Sequence, residues 1–141
     1  MSTTPDRRTL RCGLWLLLVS LPLGLTLEAL HAMKVPVYLG SAVRREMWTL
    51  AHAHGNLLGI LCVVVALAAE HICASSAARA RMLWTLRTGA VLMPVGFFLG
   101  GVLNFEGDPS YGIVLVPIGG VFLLGALIVA VGGRGTANGP G

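Results

Sequence analysis

Four long apolar stretches dominate this chain of 141 residues, running from about Gly13 to His31, Trp48 to Glu70, Thr88 to Asn104 and Tyr111 to Gly132. Each is about 17–23 residues long, enough for a helix rising 1.5 Å per residue to cross roughly 30 Å of hydrocarbon. Backbone N–H and C=O groups find no water inside a bilayer, so a spanning segment must pair them internally. Membrane β-strands would show short alternating segments of polar and apolar residues, and this chain has none. The pattern therefore predicts an all-α, four-helix transmembrane bundle with helices over about 13–31, 48–70, 88–104 and 111–132. The bundle fills a single domain over 1–134, and a flexible Gly-rich tail occupies 135–141.

Composition agrees with a lipid setting. The chain is 55% hydrophobic and 11% charged, against about 25% charged in a soluble domain. Its net charge of +4 does not point to nucleic acid, because the basic residues flank apolar segments and form no aromatic-interleaved patch. Arg7, Arg8, Arg11, Arg79, Arg81, Arg87 and Arg134 fall at one end of the four spans, and Lys34, Arg44 and Arg45 at the other. Seven against three predicts both termini in the cytoplasm, with the protein in a bacterial inner membrane. The run Arg7-Arg8-Thr9-Leu10-Arg11 also resembles a twin-arginine signal, but no A-x-A cleavage site follows it. Pro36 argues against a continuous helix through the loop Met33–Met47, and Gly107-Asp108-Pro109-Ser110 reads as a tight turn, making the last two spans an antiparallel hairpin. Pro22, Pro94 and Pro117 fall inside three of the spans, where each removes a backbone donor.

Polar and small residues form stripes on the predicted helices. Ser20, Gly24, Glu28 and His31 share one face of the first; Thr49, His52, Asn56 and Gly59 share one face of the second; Gly96, Gly100 and Asn104 share one face of the third. Such faces seek other helices, since small residues permit close approach and polar groups avoid lipid. Gly24, Gly59, Gly96 and Gly100 are therefore the packing positions, the last two forming a GxxxG. Helix direction puts Glu28, His31, His52, Asn56 and Asn104 at the same, outer-leaflet depth, where facing stripes would gather them into one polar cluster. His52 and His54 lie 200° apart on a helix and cannot serve one point; His52 is the site candidate, and His54 turns to another helix, headgroups or a partner.

Three functions remain open on these residues. The cluster can be interhelical hydrogen bonding alone, in a non-enzymatic subunit or interaction protein of a membrane complex or homo-oligomer. Glu28, His31 and His52 can instead be ligands of a transition metal or of haem b in a redox component. Or Glu28 can carry protons or a small solute. Catalysis by a nucleophile has no motif behind it, and the three cysteines (Cys12, Cys62, Cys73) show no CxxC spacing. The run Trp48-Thr49-Leu50-Ala51-His52-Ala53-His54-Gly55-Asn56-Leu57-Leu58-Gly59 resembles the histidine-bearing helices of haem-copper oxidase subunit I. That resemblance covers about a dozen of the 141 residues and implies a haem or copper ligand among its histidines, within a fold much larger than this one. The chain also resembles small four-helix bacterial membrane proteins, a likeness that implies no activity.

Overall fold

The structure, a computed structural model, describes residues 5–102, 104 and 107–133. The described residues are helical throughout their regular elements: α1 (Arg7–Ala32), a single turn α2 (Pro36–Leu39), α3 (Ala42–Ile72), α4 (Ser76–Val102) and α5 (Leu115–Gly132), the last entered through a 3₁₀ turn at Tyr111–Val114. Four of these helices are long and apolar enough to cross a membrane, so the chain has the build of an integral membrane protein. The predicted tail 135–141 lies outside the described residues, as do Arg134, Phe105 and Glu106.

The helices outrun the apolar segments. α1 starts six residues before Gly13, because Asp6 caps it, its side chain accepting from the Thr9 N–H at 2.7 Å. α3 starts at Ala42 under the cap of Ser41, which accepts from the Arg44 N–H at 3.2 Å. α4 starts at Ser76 and includes Arg79, Arg81 and Arg87 in its first half; a helix costs nothing in backbone pairing where it leaves the hydrocarbon for water. The third predicted span needs a correction at its other end. α4 stops at Val102 and Asn104 is not helical, so Asn104 cannot extend the Gly96–Gly100 stripe. Ser110 claims the last α4 carbonyls instead, its N–H donating to Gly100 O at 3.0 Å and its hydroxyl to Leu99 O at 2.6 Å.

The spans stand in a row rather than a closed bundle. α1 packs on α3, α3 on α4 and α4 on α5, while α1 meets α4 only lightly. Glycines set the close approaches. A Cβ on Gly13 would strike the Gly59 carbonyl at 2.6 Å, and one on Gly59 would meet Leu17 at 3.0 Å, which pins α1 to α3. A Cβ on Gly89 would strike the Gly119 carbonyl at 2.7 Å, and one on Gly96 would meet Val116 at 2.9 Å, which pins α4 to α5. The GxxxG is thus divided within the chain. Gly96 faces α5, and Gly100 lies nearest to Ile113 and Met47. The apolar core sits between α3 and α4, around Leu58, Cys62, Met82, Leu83, Leu86 and Ala90.

Two polar knots hold the ends. At the end carrying the termini, the Arg87 guanidinium on α4 reaches Thr9 Oγ1 at 2.8 Å and Asp6 Oδ1 at 3.3 Å, and Thr9 is fully buried. At the opposite end, Arg44 of α3 donates to Val37 O of α2 at 2.6 Å, Gly101 O of α4 at 3.1 Å and Asn104 Oδ1 at 3.1 Å. Its guanidinium also covers the Trp48 ring at 5.7 Å. Trp48 is itself stacked between Tyr38 at 6.2 Å and Phe98 at 5.7 Å. It packs Tyr38 of α2 against Phe98 of α4.

Candidate functional site: a groove between α1 and α3

α1 and α3 cross antiparallel with their small residues face to face. Ser20 sits against Gly55, where a Cβ would overlap the Ser20 hydroxyl. One turn further toward the α2 end, the His52 ring lies flat on Gly24: a Cβ there would fall 2.6 Å from Nδ1 and 2.8 Å from Nε2. Gly24 is therefore the floor on which the imidazole rests.

The ring's tautomer follows from its partner. His52 Nδ1 is 2.8 Å from the Ser20 carbonyl oxygen. A carbonyl only accepts, so Nδ1 carries a proton and donates it. The side-chain nitrogen of Asn56 is 3.3 Å from both ring nitrogens. Equal distances place it over the ring rather than on the axis of either lone pair, so it leaves Nε2 without an in-line donor. Asn56 Oδ1 is buried without a hydrogen-bond partner.

Above His52 an open groove of about 560 Å³ runs along α1 and α3 to the single turn α2. Glu28, His31, Thr49 and His52 all line it, among Leu21, Leu25 and Leu27 and under Tyr38. Tyr38 is buried, and its ring meets the His31 ring edge-on at 6.5 Å. Four polar residues singled out from the sequence stripes thus reach one groove.

They do not reach it alike. Positions 20, 24, 28 and 31 drift on a helix of 3.6 residues per turn, so Glu28 stands about 80° from Ser20 while Leu27 stands only about 20° from it. Leu27 takes the buried place against α3, and Glu28 and His31 are exposed along the groove's open side. Asn104 lies apart from the groove. It pairs with Arg44, and its Nδ2 donates to Ser41 Oγ at 2.6 Å, which ties the end of α4 to the cap of α3. The five-residue cluster Glu28, His31, His52, Asn56 and Asn104 is therefore not one site. His54 turns away from the groove, its Nδ1 on Leu50 O at 2.9 Å and its ring 4.8 Å from that of Phe97 on α4.

Among the described residues, no three His, Cys, Asp or Glu side chains come close enough together to hold a metal ion. Glu28 and His31 line the groove from α1 and His52 lines it from α3. Compared with known families, curated proteins and solved structures, the chain matches none.

Sequence reasoning passed over Arg44, Tyr38 and the Asp6–Thr9–Arg87 knot. The Asp6-x-x-Thr9 spacing ahead of an apolar run is a helix-capping signal and was legible. Arg44 was not, because its partners lie 57 and 60 residues away.

Proposed function

We propose that this chain is a non-enzymatic subunit of a larger membrane assembly, inserted in a bacterial inner membrane with both termini in the cytoplasm. The observation that carries this reading is the open row of spans. α1 and α5, at the two ends of the row, each keep a long unpaired apolar flank: Leu14, Leu18, Leu21 and Leu25 on α1, and Val121, Leu124, Ile128 and Val131 on α5 are all exposed. Acyl chains cover such side chains without cost. Gly125 and Gly132 add a feature that acyl chains fill poorly. Each has nothing within 4 Å of where a Cβ would stand, so the α5 backbone is open to close approach by another helix. The orientation rests on the arginines, seven of the ten basic residues falling at the end that carries the termini.

Native mass spectrometry of the protein released from lipid nanodiscs, never exposed to harsh detergent, tests the assembly. The expected result is a complex heavier than the 14.7 kDa chain, weakened by Gly125→Leu, which blocks the bare face of α5. A population of single chains only, at all protein densities in the membrane, refutes it. Cysteine accessibility from the two sides of sealed vesicles tests the orientation.

A further inference from the structure

Two thiols face each other between α1 and α3 at the end of the row that carries the termini. We propose that Cys12 of α1 and Cys62 of α3 bind one Cu(I) ion between them, each sulfur supplying one ligand. The site does not depend on whether the chain assembles.

Helix packing brings the pair together. α1 and α3 touch backbone to backbone at this level: a Cβ on Gly13 would strike the Gly59 carbonyl at 2.6 Å and fall 3.0 Å from the Cys62 Cβ. Cys12, the residue before Gly13, holds its thiol within hydrogen-bonding reach of the Cys62 thiol. Both thiols are free, Cys62 fully buried and Cys12 half-buried. Cys12 also stands one turn beyond Thr9, on the flank of α1 that turns to Arg87. The positive charge of Arg87 acts on both sulfurs.

A sulfur pair of this kind suits a soft ion that two ligands satisfy. Zinc sites in proteins use at least three side chains, and among the described residues no third His, Cys, Asp or Glu joins the pair. Calcium and magnesium take oxygen ligands. Thiolates select Cu(I), whose filled d shell allows a stable linear complex with two of them. On binding, two S–H bonds break and two S–Cu bonds form. The two protons leave to water at the helix ends, and neither copper nor sulfur changes oxidation state. Two thiolates around Cu(I) carry one net negative charge, which the neighbouring guanidinium offsets.

The surroundings supply a route and a control. A polar pocket of about 280 Å³ opens at the same end, with Asp6, Arg7, Ala66, Glu70 and Arg79 in its lining. Its two carboxylates balance its two guanidinium groups, so it presents a cation with no net charge of its own sign. Ala66, whose carbonyl accepts from the Asp6 N–H at 3.3 Å, is one turn of α3 from Cys62. Cys73 and Met82 form a second sulfur pair, 3.7 Å apart and buried. A thioether is always neutral, so that pair offers copper one thiolate instead of two.

The test uses the full chain in dodecylmaltoside, kept reduced by a phosphine under argon and titrated with Cu(I) held by bicinchoninate. The expected result is transfer of one Cu(I) per chain, read from the chelator's loss of colour and by native mass spectrometry. X-ray absorption should show a shell of sulfur alone, with two neighbours. Cys12→Ala and Cys62→Ala should each lose the ion with helical circular dichroism unchanged, and Cys73→Ala should keep it. Excess Zn(II) should not displace the copper. If Cys62→Ala fails to fold, the half-buried Cys12→Ala decides alone. No transfer to the unsubstituted chain overturns the proposal, and so does retention of copper by Cys12→Ala. Imidazole nitrogen in the copper shell overturns it in favour of the histidines, and loss of copper in Cys73→Ala alone overturns it in favour of the Cys73–Met82 pair. Displacement by Zn(II) overturns the choice of metal and the two-ligand geometry with it.

Discussion

Replacing Gly24 with alanine should destabilise the protein, and removing the His52 ring should reverse the sign of that effect. An added Cβ falls 2.6 Å from His52 Nδ1, which no real contact tolerates, so the ring must leave. It then gives up its hydrogen bond to the Ser20 carbonyl. Overpacking a tight contact costs about 1–3 kcal/mol, and the lost hydrogen bond adds about 0.5–1.5 kcal/mol. Against this, alanine in a helix gains up to about 1 kcal/mol over glycine. The net expectation for Gly24→Ala is a loss of about 0.5–4.5 kcal/mol. In a His52→Ala background both penalties vanish and the propensity gain remains, so the same substitution should be neutral or stabilise by up to about 1 kcal/mol. The four proteins form a double-mutant cycle, measured by reversible unfolding in mixed dodecylmaltoside and SDS micelles. A coupling energy below about 0.5 kcal/mol would mean that Gly24 and His52 do not touch, and the account of the α1–α3 crossing would fail with it.

Three further outcomes follow from named contacts. Gly55→Ala should destabilise by about 1–3 kcal/mol because its Cβ overlaps the Ser20 hydroxyl, and Ser20→Gly should recover most of that in the same unfolding assay. Arg44→Lys should cost about 1.5–3 kcal/mol, since an ammonium group cannot replace a guanidinium that bonds Val37, Gly101 and Asn104 together; increased proteolysis after α4 should accompany it, and an unchanged melting point with unchanged proteolysis would contradict the clamp. Burial works to raise the Asp6 carboxyl's pKa, but the Thr9 hydroxyl and N–H, then Arg87 and Arg8, outweigh it and hold the group below the usual carboxylate range. Stability from this knot is therefore present above the ordinary carboxylate pKa and is lost as pH falls through the lower folded value; Asp6→Asn should remove that acid-limb loss, and an identical acid limb in the two proteins would exclude the knot as its source.

What the sequence made legible was whatever depends on local period. Apolar run lengths located the spans, and the i, i+4 placement of Ser20 and Gly24 marked the face α1 turns to α3. The 200° between His52 and His54 separated the two rings, one resting on Gly24 and the other on Phe97. Reading failed where a small angular drift accumulates or a distant partner decides. Eight residues beyond Ser20, Glu28 has rotated about 80° off the stripe, far enough to yield its place to Leu27. Asn104 falls within an apolar run long enough to be helical, yet α4 ends two residues earlier, where Arg44 and Ser110 take its terminal carbonyls. No local pattern announces a clamp between residues 57 positions apart.

The row arrangement itself follows from where the glycines are spent. Gly13 and Gly24 of α1 are both occupied by α3, against Gly59 and His52, and Gly89 and Gly96 of α4 are both occupied by α5. Closing the bundle would require α5 to swing across α3 and meet α1. Its contact glycine, Gly119, is held between Met93 and the Gly89 carbonyl, so that swing would first have to break the close Gly89–Gly119 approach of α4 to α5. On the side of α1 that turns toward α4, where α5 would have to arrive to close the bundle, Val19 and Thr26 are exposed. The row stays open because small residues determine which helices approach, and the glycines of α1 make their close approaches to α3 alone.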